Sequence, residues 1–429
     1  MLDKIKIPQN LSMAQIIREH RLNLSKHGFD YHAFVLGQSP FPVPLSIQQA
    51  LKESSSFGMY GSSTGLQNLK SKIVEFNHFF YDLQINPNQI FISNGTKMLI
   101  YMLVNILEGT FILPTPAWVG YEPIFKLLNK KYIKLRLKSS NDYKIDLKEL
   151  EATMHSTDNP ILILNNPHNP TGVVLSNQDL NRITEICKAN SAYVVADEIY
   201  GLITYKGEFN SFYKYYPEKT FVTQGISKDR SAAGYRLGVG ILPLENQSYF
   251  LHQLNALASI MYTNVSTPIQ NAAVQAYTPD YEIQDYIKTV REIHKMVGEF
   301  FSSYAINECG LNASTPESAF YILIDFNNIK SHLQKSDITT TLQLSKALFS
   351  KPYYVAVVTG EAISVDDNDF LARLALVDYD GSKVQKNYVT QRPQTKQEIE
   401  KFIKNHMKHM IDGFNQIKRF VEDIKKASV

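Results

Sequence analysis

Between Asn88 and Gly240 the chain repeats one pattern: a short apolar run, a turn, then a longer stretch with helical spacing. "QIFIS" (Gln89–Ser93) passes through "NGTK" into "MLIYMLVNIL", and "TFILPTP" (Thr110–Pro116) is stopped by prolines. "PILILNNPHNPTG" (Pro160–Gly172) is a run followed by a turn-rich segment, and "QDLNRITEICKAN" spaces Leu180, Ile183 and Ile186 as a helix does. "AYVVADEIY" (Ala192–Tyr200) and "KTFVTQGISK" (Lys219–Lys228) are further short runs. A strand apolar on every residue is one buried on both faces. Such strands alternating with helices require an α/β fold, a mostly parallel central sheet sandwiched by helices.

The end of the chain reads differently. "SAFYILIDF" (Ser318–Phe326) and "YVAVVTG" (Tyr354–Gly360) are strand-like and precede "FLARLALVDYD" (Phe370–Asp380). From Gln397 to Lys426 a single apolar stripe at helical spacing, Ile399 through Phe414 to Ile424, predicts one helix packed on the core. "YDGSKVQKNYVTQRPQTKQ" (379–397) reads as an extended loop without an assigned role. The 429 residues suffice for a large domain at 45–299 and a smaller α+β domain built from 1–44 and 300–429.

Several function classes are disfavoured. A net charge of +3, from 44 basic and 41 acidic residues, leaves no basic footprint for nucleic acid. No apolar run approaches the ~18 residues of a membrane span. The opening "MLDKIKIPQNLSMAQ" lacks the apolar core and cleavage site of a secretory leader, so a cytoplasmic protein is expected. Cys187 and Cys309 are too few for a metal knuckle or a disulfide framework; they read as small buried residues of a reducing compartment, and no metal is expected.

Polar residues fall at the carboxyl ends of the apolar runs: Asn94-Gly95-Thr96, Asn169, Asp197 and Lys228. In open α/β sheets that edge is where ligands bind. Singly, each has an ordinary explanation: a solvated lysine, a helix-capping aspartate, a turn asparagine.

Four segments occur together and in order: "NNPHNPTG" (Asn165–Gly172), "VADEIY" (Val195–Tyr200), "SKDRSAAGYRLG" (Ser227–Gly238) and "ARLAL" (Ala372–Leu376). "YGSSTGLQNLK" (Tyr60–Lys70), "SNGTK" (Ser93–Lys97) and "PTPAWVGY" (Pro114–Tyr121) add weaker matches. In these segments the chain resembles the class I/II aminotransferases, pyridoxal-phosphate (PLP) enzymes of fold type I. The resemblance implies that Lys228 forms a Schiff base with the cofactor aldehyde and, once freed by the substrate, carries a proton to and from its Cα. An ammonium cannot attack a carbonyl, so the amine must be reachable in neutral form.

The same resemblance implies that Asp197 pairs with the pyridine nitrogen and keeps it protonated, which makes the ring an electron sink. Asn169 and Tyr200 would hold the ring oxygen O3′, and Trp118 would stack on the ring, with Tyr121 as the alternative. Gly95, Thr96, Lys97, Ser227 and Arg236 would gather at the phosphate, a helix start and a guanidinium both suiting an anion. Arg373 would clamp the substrate α-carboxylate, with Gly37 and Asn169 beside it. Tyr60 resembles the tyrosine that reaches a neighbouring subunit's phosphate, which implies a homodimer with shared sites. "MYTNVSTP" (Met261–Pro268), through Thr263 or Asn264, resembles a second such segment.

Two positions depart from the family. Gly225 stands where a serine often serves the phosphate. Ser259-Ile260 stands where one aspartate-specific branch has an arginine for the side-chain carboxylate. The expected activity is amino-group transfer between an L-amino acid and a 2-oxo acid by ping-pong chemistry. A lyase or a cyclopropane-forming synthase of the same fold shares every segment. A non-catalytic effector module ranks third, because residues 1–44 show no helix-turn-helix pattern.

Overall fold

The computed structural model describes residues 31–427. The first thirty residues, including the stretch read for a leader and most of the N-terminal arm, lie outside the described residues.

A short strand β1 (His32–Ala33) precedes a seven-stranded sheet. That sheet comprises β2 (Ile90–Ser93), β3 (Thr110–Thr115), β4 (Lys131–Arg136), β5 (Pro160–Asn165), β6 (Tyr193–Asp197), β7 (Thr220–Gly225) and β8 (Gly238–Ile241). Its order is β2-β8-β7-β6-β5-β3-β4, and only β8 runs against its neighbours.

The continuous apolar runs have a direct cause. Ile161 and Ile163 of β5 enter one core with Leu99, Leu103 and Phe125 from the helices Thr96–Ile106 and Tyr121–Leu127. Leu162 and Leu164 point the opposite way, into a core with Leu180 and Ile183 of the helix Asn177–Ala189. Both faces are therefore covered, as the sequence requires. Each such side chain contributes roughly 1.5–3 kcal/mol on burial.

Beyond the helix Tyr281–Asn307, strands β9 (Asn312–Ala313), β10 (Tyr321–Asp325), β12 (Val358–Thr359) and β13 (Leu371–Ala375) form an antiparallel sheet ordered β12-β13-β10-β9. β11 (Val355–Ala356) pairs instead with β1, in parallel. The helix Tyr281–Asn307 is continuous through position 299, where the sequence reading placed its boundary.

Two local expectations are corrected. The stretch 379–397 is not an extended loop. It holds the helix Gly381–Gln391, which Asp380 caps by accepting from the Lys383 N–H at 3.1 Å and which buries Val384 and Tyr388. The C-terminal stripe is two helices, Lys396–His406 and Lys408–Ala427, broken where Met407 takes φ −131° and ψ 36°. No proline or glycine marks that break, so side-chain periodicity continues across it.

Candidate active site

The carboxyl ends of β5, β6 and β7 meet at one place. Asn165 lies opposite Asp197 in the sheet, and Asp197 opposite Thr223. Asn165 donates from Nδ2 to the Asp197 carbonyl at 2.9 Å and accepts from the Asn169 N–H at 2.8 Å. The turn after β5 is thereby pinned and Asn169 held at the edge.

Asp197 is buried, and its carboxylate has a partner on each oxygen. Tyr121 Oη donates to Oδ2 at 2.6 Å and Thr223 Oγ1 donates to Oδ1 at 2.9 Å. Burial pushes its pKa above the usual carboxylate range, opposed by those two bonds and by the Lys228 charge. Such a group is stabilised as an anion by a cationic partner.

Lys228 follows β7 by three residues, and its Nζ donates to the Gly37 carbonyl at 2.5 Å. Burial first, then repulsion by Arg373, brings its pKa down to about 8, with Asp197 pulling the other way. The amine is thus within reach of its neutral form near physiological pH, unlike a solvated surface lysine.

Arg373 lies on β13, between Leu323 and Val358 in register. Its Nη2 donates to the Val35 carbonyl at 2.7 Å, its Nη1 reaches Asn169 Oδ1 at 3.5 Å, and its guanidinium stands 4.9 Å from the Tyr321 ring centre. Among the described residues Nε has no hydrogen-bond partner despite burial. A buried guanidinium with a spare donor fits an incoming carboxylate.

A second cationic group surrounds the start of the helix Thr96–Ile106. Gly95 precedes it at φ +83°, and a Cβ there would lie 2.3 Å from Arg236 Nη2, so only glycine admits the guanidinium. Lys97 stands 5.5 Å above the Trp118 ring, its pKa lowered by burial and then by Arg236. Backbone N–H groups, a lysine and an arginine converge, as an anion site requires.

These residues border one cavity of about 850 Å³. Lys228, Asp197, Asn169, Tyr200, Arg236, Thr96, Lys97, Trp118, Ser227, Gly37 and Arg373 all line it, and Gly95 lies just behind Arg236. Among the described residues Asp197 is the only acid there, beside four cationic side chains. Tyr60 is not brought in: it is 87% exposed on the outer surface. Its segment does meet the other one singled out, since Thr267 Oγ1 donates to the Met59 carbonyl at 2.8 Å.

Sequence reasoning missed three contributors. Tyr121 entered only as an alternative stacking ring, yet its hydroxyl holds Asp197 while its ring meets Trp118 edge-on at 5.0 Å. Thr223 and Tyr321 sat inside apolar strand runs. Only alternation along β7, which places Thr223 beside Asp197, could have pointed to the first.

The family described as "Aminotransferase class I and II" matches residues 34–376. The chain belongs to that family. The enzyme is 27% identical over 355 residues to an asparagine–oxo-acid transaminase of Streptococcus mutans, covering 80% of this chain and 87% of the relative. It is 28% identical over 354 residues to an aspartate aminotransferase of Bacillus subtilis, covering 80% and 87%. The solved aspartate aminotransferase of Thermus thermophilus with maleate superposes at a TM-score of 0.79 over 96% of this chain and 97% of that one, at 20% identity, a likeness of fold. The protein is a transaminase, and its relatives favour amino-group transfer over a lyase outcome. Among the described residues no helix is long and apolar enough to cross a membrane, and no cluster suits a metal ion.

Proposed function

We propose that the cavity holds pyridoxal 5′-phosphate joined to Lys228, and that the enzyme moves an amino group between an L-amino acid and a 2-oxo acid by a ping-pong route. The observation that carries this reading is the placing of Lys228, with its lowered pKa, and Asp197 on one cavity where each feels the other's charge. The lining suits a phosphate-bearing pyridine. Gly95 lets the Arg236 guanidinium lie against the start of the helix Thr96–Ile106, with Lys97 also on the cavity, which suits the phosphate, and the doubly bonded Asp197 suits a protonated ring nitrogen.

When bound, PLP supplies a cationic heterocycle that accepts the electron pair left as the substrate Cα–H bond breaks. Asp197, fixed by Tyr121 and Thr223, would hold the ring nitrogen's proton. Asn169 and Tyr200 would hold the ring oxygen O3′. Gly95, Thr96, Lys97, Ser227 and Arg236 would hold the phosphate, and Trp118 would cover the ring. Arg373, with Asn169 and Gly37, would orient the α-carboxylate so that the Cα–H bond faces Lys228. Lys228 Nζ, freed by the substrate, would take that proton from Cα and deliver it across the substrate nitrogen to C4′.

We further propose a homodimer in which Tyr60 and the 263–264 segment complete the partner's phosphate site. The exposed Phe57, Met59, Tyr60, Ile260 and Met261 support an interface there. The large domain spans 45–299 and the smaller domain joins 1–44 to 300–429, the helix Tyr281–Asn307 serving as their shared spine. The buried free thiols of Cys187 and Cys309 suit a cytoplasmic location.

The test is spectroscopic. Purified protein incubated with PLP should gain a visible band that disappears on half-reaction with amino acids from a panel including aspartate and asparagine. A band that persists while a leaving group is released would favour a lyase. A protein that stays colourless would overturn the cofactor assignment.

A further inference from the structure

Tyr321 opens β10, is buried, and places its hydroxyl 3.0 Å from that of Tyr200. The polar chain leading to this pair has one consistent direction. An arginine only donates, so the Asn169 atom facing Arg373 is Oδ1. The Asn169 amide group therefore points Nδ2 at Tyr200, and the Tyr200 oxygen accepts from it at 3.4 Å. A tyrosine hydroxyl has one proton and two acceptor sites. The Tyr200–Tyr321 bond can run either way, and both residues line the cavity, so its direction decides which phenol presents a proton there. With Tyr321 as the donor, the Tyr200 oxygen accepts twice and its own proton is the one left for the cavity.

We propose that Tyr321 is a positioning residue which, with Asn169, fills both acceptor sites of the Tyr200 hydroxyl and so forces the single Tyr200 proton into the cavity. Two observations support the assignment. A Cβ at Gly37 would lie 1.8 Å from Tyr321 Oη, so the glycine there keeps room for this hydroxyl. Burial raises the pKa of both phenols and the Arg373 guanidinium opposes it in both, standing over the Tyr321 ring and acting there as the foremost opposing influence, which favours Tyr321 as the donor.

The inference rests on the PLP reading, since the presented proton would meet the ring oxygen O3′. A donated proton stabilises that oxygen as an anion most strongly once the adjacent nitrogen, joined to Lys228, has lost its own proton. Weakening the donation therefore raises the pH at which the visible band of the PLP-loaded enzyme titrates.

Tyr321→Phe keeps the ring and removes the oxygen. It should raise that midpoint by about half a unit, and Tyr200→Phe by about one unit, the scale of a neutral hydrogen bond. The double variant should match Tyr200→Phe alone, because Tyr321 acts through Tyr200. Site-specific 3-fluorotyrosine at 321, a more acidic donor that retains the hydroxyl, should lower the midpoint. An unmoved midpoint in both 321 variants, or a Tyr321→Phe shift that adds in full to Tyr200→Phe, would overturn the relay while leaving the cofactor assignment standing. No visible band in the unsubstituted protein would overturn both.

Discussion

The two sides of Lys228 hold their polar groups by different means. On the cavity side, Asp197, Asn169, Tyr200 and Arg373 are fixed by directional hydrogen bonds from named partners. On the core side, Arg230, two residues further along the chain, is fully buried, its guanidinium between the rings of Phe76 and Tyr277 at 4.7 and 4.8 Å from their centres. It donates to the Gly225 carbonyl at 3.3 Å and stands 3.5 Å from Asp229. His294 lies against Phe41 and Phe320, its ring nitrogens without hydrogen-bond partners among the described residues, and burial lowers its pKa to about 3. Ring faces accept a cation or a neutral imidazole from a range of angles, whereas a hydrogen bond selects one. The difference separates groups that must present a given atom to a guest from groups such as Arg230 that hold the surrounding core and the loop carrying Lys228.

The comparison breaks most visibly at the lysine itself. Lys228→Ala should lower turnover by about 10⁴-fold, the upper range for a positioned acid–base group, while PLP still binds noncovalently; steady-state kinetics and equilibrium dialysis check both. On the core side the effect should be on stability. Arg230→Met leaves Asp229 without its cation and should cost about 3–5 kcal/mol in denaturant unfolding. Arg230→Met with Asp229→Asn should recover part of that loss. If the single variant instead changed kcat at unchanged stability, the division between anchoring and presenting groups would fail.

Smaller effects sharpen the cavity side. Arg373→Lys keeps the charge but not the planar fork, and should lower kcat/KM by roughly 10–100-fold, mostly through KM, with little change in melting temperature. The mildest test is pH. Because the pKa of Lys228 is brought down to about 8, the rate at which cofactor-free protein captures PLP should rise with pH and level off above that value in stopped-flow absorbance. The sign for stability is the same. The folded amine binds its proton less tightly than an unfolded lysine, so the burden of burying the charge is complete below about pH 8 and lifts as pH rises above it. Lys228→Met should therefore stabilise cofactor-free protein at pH 7 and lose that advantage in alkali.

Much of the fold was legible because burial on two faces leaves its mark on every residue of a strand: Ile161 through Leu164 must all be apolar. The helix Gly381–Gln391 was not legible, since its sequence is polar on most positions and only Val384 and Tyr388 are buried among its larger side chains. The break at Met407 escaped for the opposite reason: the apolar period is unaltered while the backbone departs from the helix. At the site, Lys228, Asp197, Asn169 and Arg373 stood out as charged or amide residues within the recognisable segments. Thr223 and Tyr321 did not, because a hydroxyl within an apolar run looks like packing, and Tyr121 stood out only as a stacking ring.

The order of residues along the chain, by itself, determined which side chains end up at the carboxyl edge of the parallel sheet, because strand length and turn position set that edge locally. It also determined the chemistry those side chains can perform. Only the tertiary structure decided how they are aimed. Hydrogen-bond partners come from another strand or another sheet, as when β10 brings Tyr321 to Tyr200 and β13 brings Arg373 to Asn169. Hydrogen-bond direction depends on neighbours that are far apart in sequence, and folding alone supplies them.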